Sequence, residues 1–194
     1  MASQGYNNPS SATNANTGQP WTDISLVTAP DGRYATNSFS TSVSSQRIKV
    51  SGFGFNLPSD ATVTGMELII RAKEGTGDPV AFSEVQITLR SGVQTSSRHN
   101  DYGELATVDT DYVFGGPGDL WGETSVSVTD VNNSTFGARI RMTVNGSVGG
   151  NTASVDWIGL RVYYVTPGTT VKHVTGAVKA NPGRSRFVRL SEVF

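Results

Sequence analysis

The chain has 194 residues, no cysteine, 22 glycines, 36 % hydrophobic residues and a formal net charge of −1. That length suits one domain with residues to spare, and the absence of cysteine excludes disulfide staples, thiolate zinc sites and a cysteine nucleophile. Only two histidines occur and no apolar run is long enough to span a bilayer as a helix, so neither a histidine-rich metal centre nor a membrane span is expected.

Residues 1–20 (MASQGYNNPSSATNANTGQP) carry no charge and no hydrophobic periodicity. They read as a flexible arm. They also lack the basic-then-apolar order of a secretory leader, so synthesis and folding in a cytoplasm are expected. From Trp21 the texture changes. An early strand is expected within 39–50, and residues 48–55 alternate apolar with small or polar side chains, the period of a half-buried strand. Pro58 to Asp60 mark a turn. Residues 62–73 form the clearest strand, with Met66, Leu68, Ile70 and Ala72 on one face and Glu67, Ile69, Arg71 and Lys73 on the other. Residues 82–90 form the next, with Val85, Ile87 and Leu89 inward and Glu84, Gln86, Thr88 and Arg90 outward.

Residues 93–123 read as a long connection, broken by a short strand at Tyr112, Val113 and Phe114. Connections of that length in a compact domain are usually functional or inserted. Residues 124–128 alternate again, and 129–134 suit one helical turn capped by Thr129. Residues 136–144 are a strand with Ala138, Ile140, Met142 and Val144 inward. Asn145-Gly146 and Gly149-Gly150 suggest a hairpin into a last strand over 153–165, with Ile158, Leu160, Val162 and Tyr164 on one face. No 3.6-residue periodicity persists anywhere. About eight short strands separated by turn signals predict an all-β protein, an antiparallel, jelly-roll-like β-sandwich over 21–166, with extended tails at 1–20 and 167–194.

Charge is unevenly spread. Residues 21–166 carry ten basic and fifteen acidic side chains, whereas 167–194 carry Lys172, Lys179, Arg184, Arg186 and Arg189 against Glu192. The basic tail is the expected docking element, with Lys172, Lys179, Arg184, Arg186, Phe187, Arg189 and Phe194 as partner-binding residues. Its stretch 186–190 alternates like a strand able to add to a neighbour's sheet. Trp121 with Asp119, after a Gly-Gly-Pro-Gly turn, offers either a glycan-stacking platform or a plug for the end of the sandwich. Asp101, Glu104, Asp109 and Asp111 could supply oxygen ligands to Ca²⁺ or simply form a solvated acidic loop. Arg139, Arg141 and Arg161 face outward; they suit either a basic stripe or cross-strand pairing with Glu67 and Glu84. His99 has no nucleophile motif beside it.

Four stretches carry a family resemblance: residues 52–68 (GFGFNLPSDATVTGMEL), 112–122 (YVFGGPGDLWG), 133–140 (NSTFGARI) and 153–164 (ASVDWIGLRVYY). Together they resemble a β-sandwich module of tailed-bacteriophage particle proteins. The resemblance covers about residues 21–165 and leaves out both tails. It implies a virion structural protein made in the bacterial host: capsid decoration first, then a neck, collar or baseplate component. Its partners would be other virion proteins and further copies of itself, a trimer by analogy, with no membrane or nucleic-acid partner. No catalytic residue, cofactor or metal is implied. The alternatives are a carbohydrate-binding module using Trp121 and Asp119, and a hydrolase on a sandwich scaffold.

Overall fold

The structure is a computed structural model and describes residues 2–3, 5–15, 17–40, 43–99, 103–146 and 150–168. Nine strands run through these residues: β1 (Ala2–Ser3), β2 (Ser11–Ala15), β3 (Ala35–Phe39), β4 (Arg47–Ser51), β5 (Thr62–Glu74), β6 (Val80–Thr88), β7 (Thr110–Gly116), β8 (Gly137–Val144) and β9 (Asn151–Val165). They make two antiparallel sheets packed face to face. The first has the order β1-β9-β5-β7, with β3 on the same edge of β9 as β1. The second has the order β2-β4-β8-β6. The expected all-β sandwich is therefore the observed architecture.

The pairing is nested around the turn at Arg90–Gly92. Thr88 and Val85 bridge Gln94 and His99. Outside them Met66 to Ala72 pair with Thr110 to Gly116, then Ile48 to Ser51 with Gly137 to Ile140, then Ala35 to Phe39 with Asn151 to Val155. The chain is thus one long hairpin rolled into two layers, which is the jelly-roll connectivity. It also corrects one expectation. No hairpin joins β8 to β9, because β8 ends at Val144 in one sheet and β9 begins at Asn151 in the other.

Alternation decides which side chains fill the core. Met66, Leu68, Ile70 and Ala72 of β5 meet Val155, Ile158, Leu160 and Val162 of β9, all buried. The facing sheet supplies Ile48, Val50, Val85, Ile87, Ile140 and Met142. Register shifts sit between Phe82 and Glu84 and between Arg71 and Ala72. The first lets Phe82 and Val85 both point inward, so that Phe82 meets the Tyr112 and Phe114 rings edge-on at 5.3 and 5.2 Å. The second leaves Asp156 unopposed; its carboxylate turns aside and accepts the Gly32 N–H at 2.8 Å.

Residues 1–20, expected as a flexible arm, are instead built into the body as far as they are described. Ala2 and Ser3 pair with Tyr164 and Tyr163, and Asn7 exchanges two main-chain hydrogen bonds with Leu160. The chain then passes to the other sheet, where β2 pairs with β4 over five residues. Side chains fasten this strap. The Asn7 amide donates to the Phe53 carbonyl at 2.8 Å, and the Trp157 indole N–H donates to Asn8 at 2.8 Å. An edge strand held mainly through its main chain needs no apolar alternation, which is why composition alone reads it as an arm. Two smaller differences follow. Residues 124–128 are not a strand, and the helical turn is Val128–Val131, capped by Ser127 rather than Thr129, with Ser127 accepting the Asp130 N–H at 3.0 Å.

Candidate interaction surfaces

Trp121 is the plug, not a platform. It is wholly buried, so no ring face is left for a sugar, and the glycan site expected at Trp121 and Asp119 is not formed. Trp121 stands at the end of β7's sheet with φ at +58°, a left-handed conformation costly for a bulky residue. Its indole N–H donates to the Met66 carbonyl at 3.0 Å. Asp119 fixes the turn from three sides: its carboxylate accepts the Trp121 N–H at 2.6 Å, its carbonyl accepts the Met66 N–H at 2.9 Å, and its other oxygen lies 2.9 Å from His99 Nε2. The His99 ring meets the indole edge-on at 4.4 Å. Gly115 must be glycine: φ is +78°, and a Cβ there would sit 2.7 Å from the indole nitrogen.

The three outward arginines form no single stripe, because they are divided between the sheets. Arg161 belongs to the outer face of β9, where Arg161 Nη1 lies 3.6 Å from Glu67 and its guanidinium covers the Tyr6 ring at 4.0 Å. Tyr6 donates to Glu67, and burial together with that carboxylate pushes the Tyr6 hydroxyl well above the usual phenol range. Arg71 clasps Asp111 in a two-pronged pair at 2.7 and 2.9 Å. Lys73 lies 3.3 Å from Asp109 and over the Tyr34 ring at 4.1 Å. Of the acidic loop, Asp109 and Asp111 therefore already hold cations, Glu104 faces solvent, and Asp101 lies outside the described residues. No cluster of three or more metal-ligating side chains forms among the described residues.

Arg139 and Arg141 lie on β8 in the other sheet, beside Arg47 and Lys49 of β4. Lys49, Arg139 and Gln86 stand in one row across three strands, and Glu84 lies opposite Arg141. Glu84 and Gln86, expected to be solvated, are only 2 % and 6 % exposed. Their pleat does point outward, but Arg47 and Arg139 close on Glu84, and Gln86 donates to the carbonyl of Thr95, in the segment that pairs along the edge of β6. Glu84 receives Arg47 Nε at 3.0 and 2.9 Å, Arg47 Nη2 at 2.7 Å, and Arg139 Nε. Burial pulls the Glu84 carboxyl upward, yet the Arg47 hydrogen bond and the Arg139 and Arg47 charges outweigh it and hold the group below the usual carboxylate range. The predicted pairing of Glu67 and Glu84 with outward arginines is thus the arrangement found.

This face carries Arg47, Lys49, Arg98, Arg139 and Arg141 against Glu84. The rest of residues 21–166 carries five cations and fourteen carboxylates. The body is electrically lopsided, a feature that a net charge of −1 conceals. The predicted docking residues Lys172, Lys179, Arg184, Arg186, Phe187, Arg189 and Phe194 all lie outside the described residues.

No protein-family model matches the chain, and no curated protein matches it either.

Proposed function

We propose that this chain is a non-enzymatic structural protein of a bacteriophage particle, fixed to other virion proteins through its basic segment 167–194 and present as several copies. Capsid decoration is the leading assignment, a neck or baseplate position the next. The observation that carries the reading is the contrast between body and tail. An acidic sandwich covers the outer edges of β9 and β4 with strands from its first forty residues, and beyond it lies a segment of five cations and one carboxylate. The resemblance of residues 21–165 to phage particle modules points the same way. Segments that order on contact cover a large surface from a small domain, and a strand-like basic stretch such as 186–190 suits addition to a partner's sheet.

The test removes residues 169–194 only, since residues 2–15 are part of the fold. The shortened chain keeps its melting temperature and loses attachment to particles that lack the protein. Undiminished attachment with an intact body overturns the proposal. The copy number on native particles then separates a capsid-lattice position from a tail-axis one.

A further inference from the structure

Three large aliphatic side chains stand exposed among the described residues: Val93, Val108 and Val165. Isolated exposed aliphatics are ordinary, but one of these, Val108, belongs to a pair of opposed settings. Val108, 66 % exposed, is the apex of the turn between Glu104 and Asp111. That turn is braced from beneath: Leu105 is buried with its N–H on the Val80 carbonyl at 2.8 Å, and the Ala106 carbonyl accepts the Glu74 N–H at 2.9 Å. Glu104, Asp109 and Asp111 flank the apex; the two aspartates are paired with Lys73 and Arg71, and Glu104 makes no ion pair among the described residues. Behind them the Glu74 carboxyl is raised by burial, with the Glu104 charge adding to the shift.

The other setting is a cleft of about 260 Å³ on the outer face of the other sheet, walled by Thr13, Lys49, Ser51, Thr88, Gln94 and Thr135, with Val50 and Ala138 at its floor. At ~30 Å³ per water, that is room for several waters and hence for one aliphatic side chain. Lys49 makes no ion pair among the described residues, and the neighbouring row belongs to the arginine-rich face. One feature is thus an apolar knob beside the uncompensated Glu104 carboxylate, the other a hydroxyl-lined cleft beside the uncompensated Lys49 ammonium. The knob is anchored to the first residue of β6 and the cleft lies at its last. β6 is nine residues long, roughly 27 Å from end to end, so one copy cannot satisfy itself.

We propose that copies of this chain associate head to tail, the turn from Glu104 to Asp111 of one copy seating Val108 in the Lys49 cleft of the next. Charge complementarity selects the partner, since the same molecule carries both halves. The contact is heterologous and builds a ring or a filament according to the rotation between copies. It does not depend on the virion reading.

Sedimentation of the full chain over a wide concentration range tests it. Wild type gains mass with concentration, less so at high salt. Val108→Asp and Lys49→Glu each weaken association about tenfold or more, as expected for an interface anchor. Both residues are exposed, so unchanged melting shows that the fold survives. Mixing the two variants is decisive: the intact knob of Lys49→Glu fits the intact cleft of Val108→Asp, giving dimers that grow no further. A wild type that stays monomeric, or a mixture that stays monomeric, overturns the proposal. So does a monomeric wild type that binds heparin through Lys49, which would assign the face to polyanions.

Discussion

Replacing Glu84 by glutamine keeps the shape of the side chain and removes its charge. In the native protein this carboxylate is the shared counter-ion of Arg47 and Arg139, and only 3 % of it is exposed, against 19 % and 23 % for the two arginine side chains. Without it the guanidinium groups face one another and Arg98 with no anion between them. Breaking a buried pair by removing one partner costs about 3–5 kcal/mol. Because the arginine tips still reach water, the lower end, ~3 kcal/mol, applies. For a domain of this size each kcal/mol moves the melting temperature by about 2–4 °C, so Glu84→Gln should melt about 6–12 °C lower. A triple variant, Arg47→Leu with Glu84→Leu and Arg139→Met, removes every charge at once and should recover most of the loss. The pH response has a definite sign. A carboxyl held below its ordinary range stabilises the fold fully at and above that range, and the contribution is lost as pH falls through the lowered folded value. Wild type should therefore lose its advantage over Glu84→Gln on acidification. Calorimetry from neutral to acid pH measures all of this. A neutral-pH difference under ~1 kcal/mol, or a triple variant no better than the single one, refutes the reasoning.

Three further outcomes are expected. Trp121→Ala should lower stability by about 3–5 kcal/mol, the range for emptying a buried aromatic site, and should change no signal on a glycan array; a full-strength melt contradicts the plug. Deleting residues 1–17 should lower the melting temperature and produce self-association through the bared edge of β4, readable by light scattering; an equally stable monomer would return these residues to the status of an arm. Gly159→Ala drives a Cβ into the Trp157 ring, so the indole should lift off the sheet, shift its fluorescence to the red and cost ~1–3 kcal/mol.

The strands easiest to read in the sequence were β5, β6, β8 and β9, because each buries one face and alternation reports that directly. β2 was illegible for the converse reason: Ser11–Ala15 has no buried residue, so its side chains hold no record of the ladder it joins. The outward pleat of Glu84 and Gln86 was legible, but their burial was not, since it depends on Arg47 and Arg139 from other strands and on an edge segment, 94–99, that supplies the Thr95 carbonyl. The plug at Trp121 did leave a trace. A large aromatic after consecutive glycines, where backbone must pass close to a ring, is the pattern Gly115 and Trp121 turn out to satisfy. The partition of Arg139 and Arg161 between opposite sheets needed the nested pairing, which no local window contains.

That nesting also sets an order of events during synthesis. Strands near the central turn at Arg90–Gly92 can meet as soon as both have left the ribosome, whereas β3 must wait for the start of β9, and Ala2 and Ser3 must wait for Tyr163 and Tyr164. Ala2, Ser3 and Asn7 are thus among the last to find partners, whereas Ser11–Ala15 can join Arg47–Ser51 much earlier. A segment that spends most of translation unpaired is exposed to every other nascent chain, and unpaired apolar strands are the ones that aggregate. The uncharged, polar character of Ala2, Ser3, Asn7 and Asn8 suits that wait: they can stay solvated until β9 arrives, then fasten to it through main-chain hydrogen bonds and the Asn8 contact with Trp157.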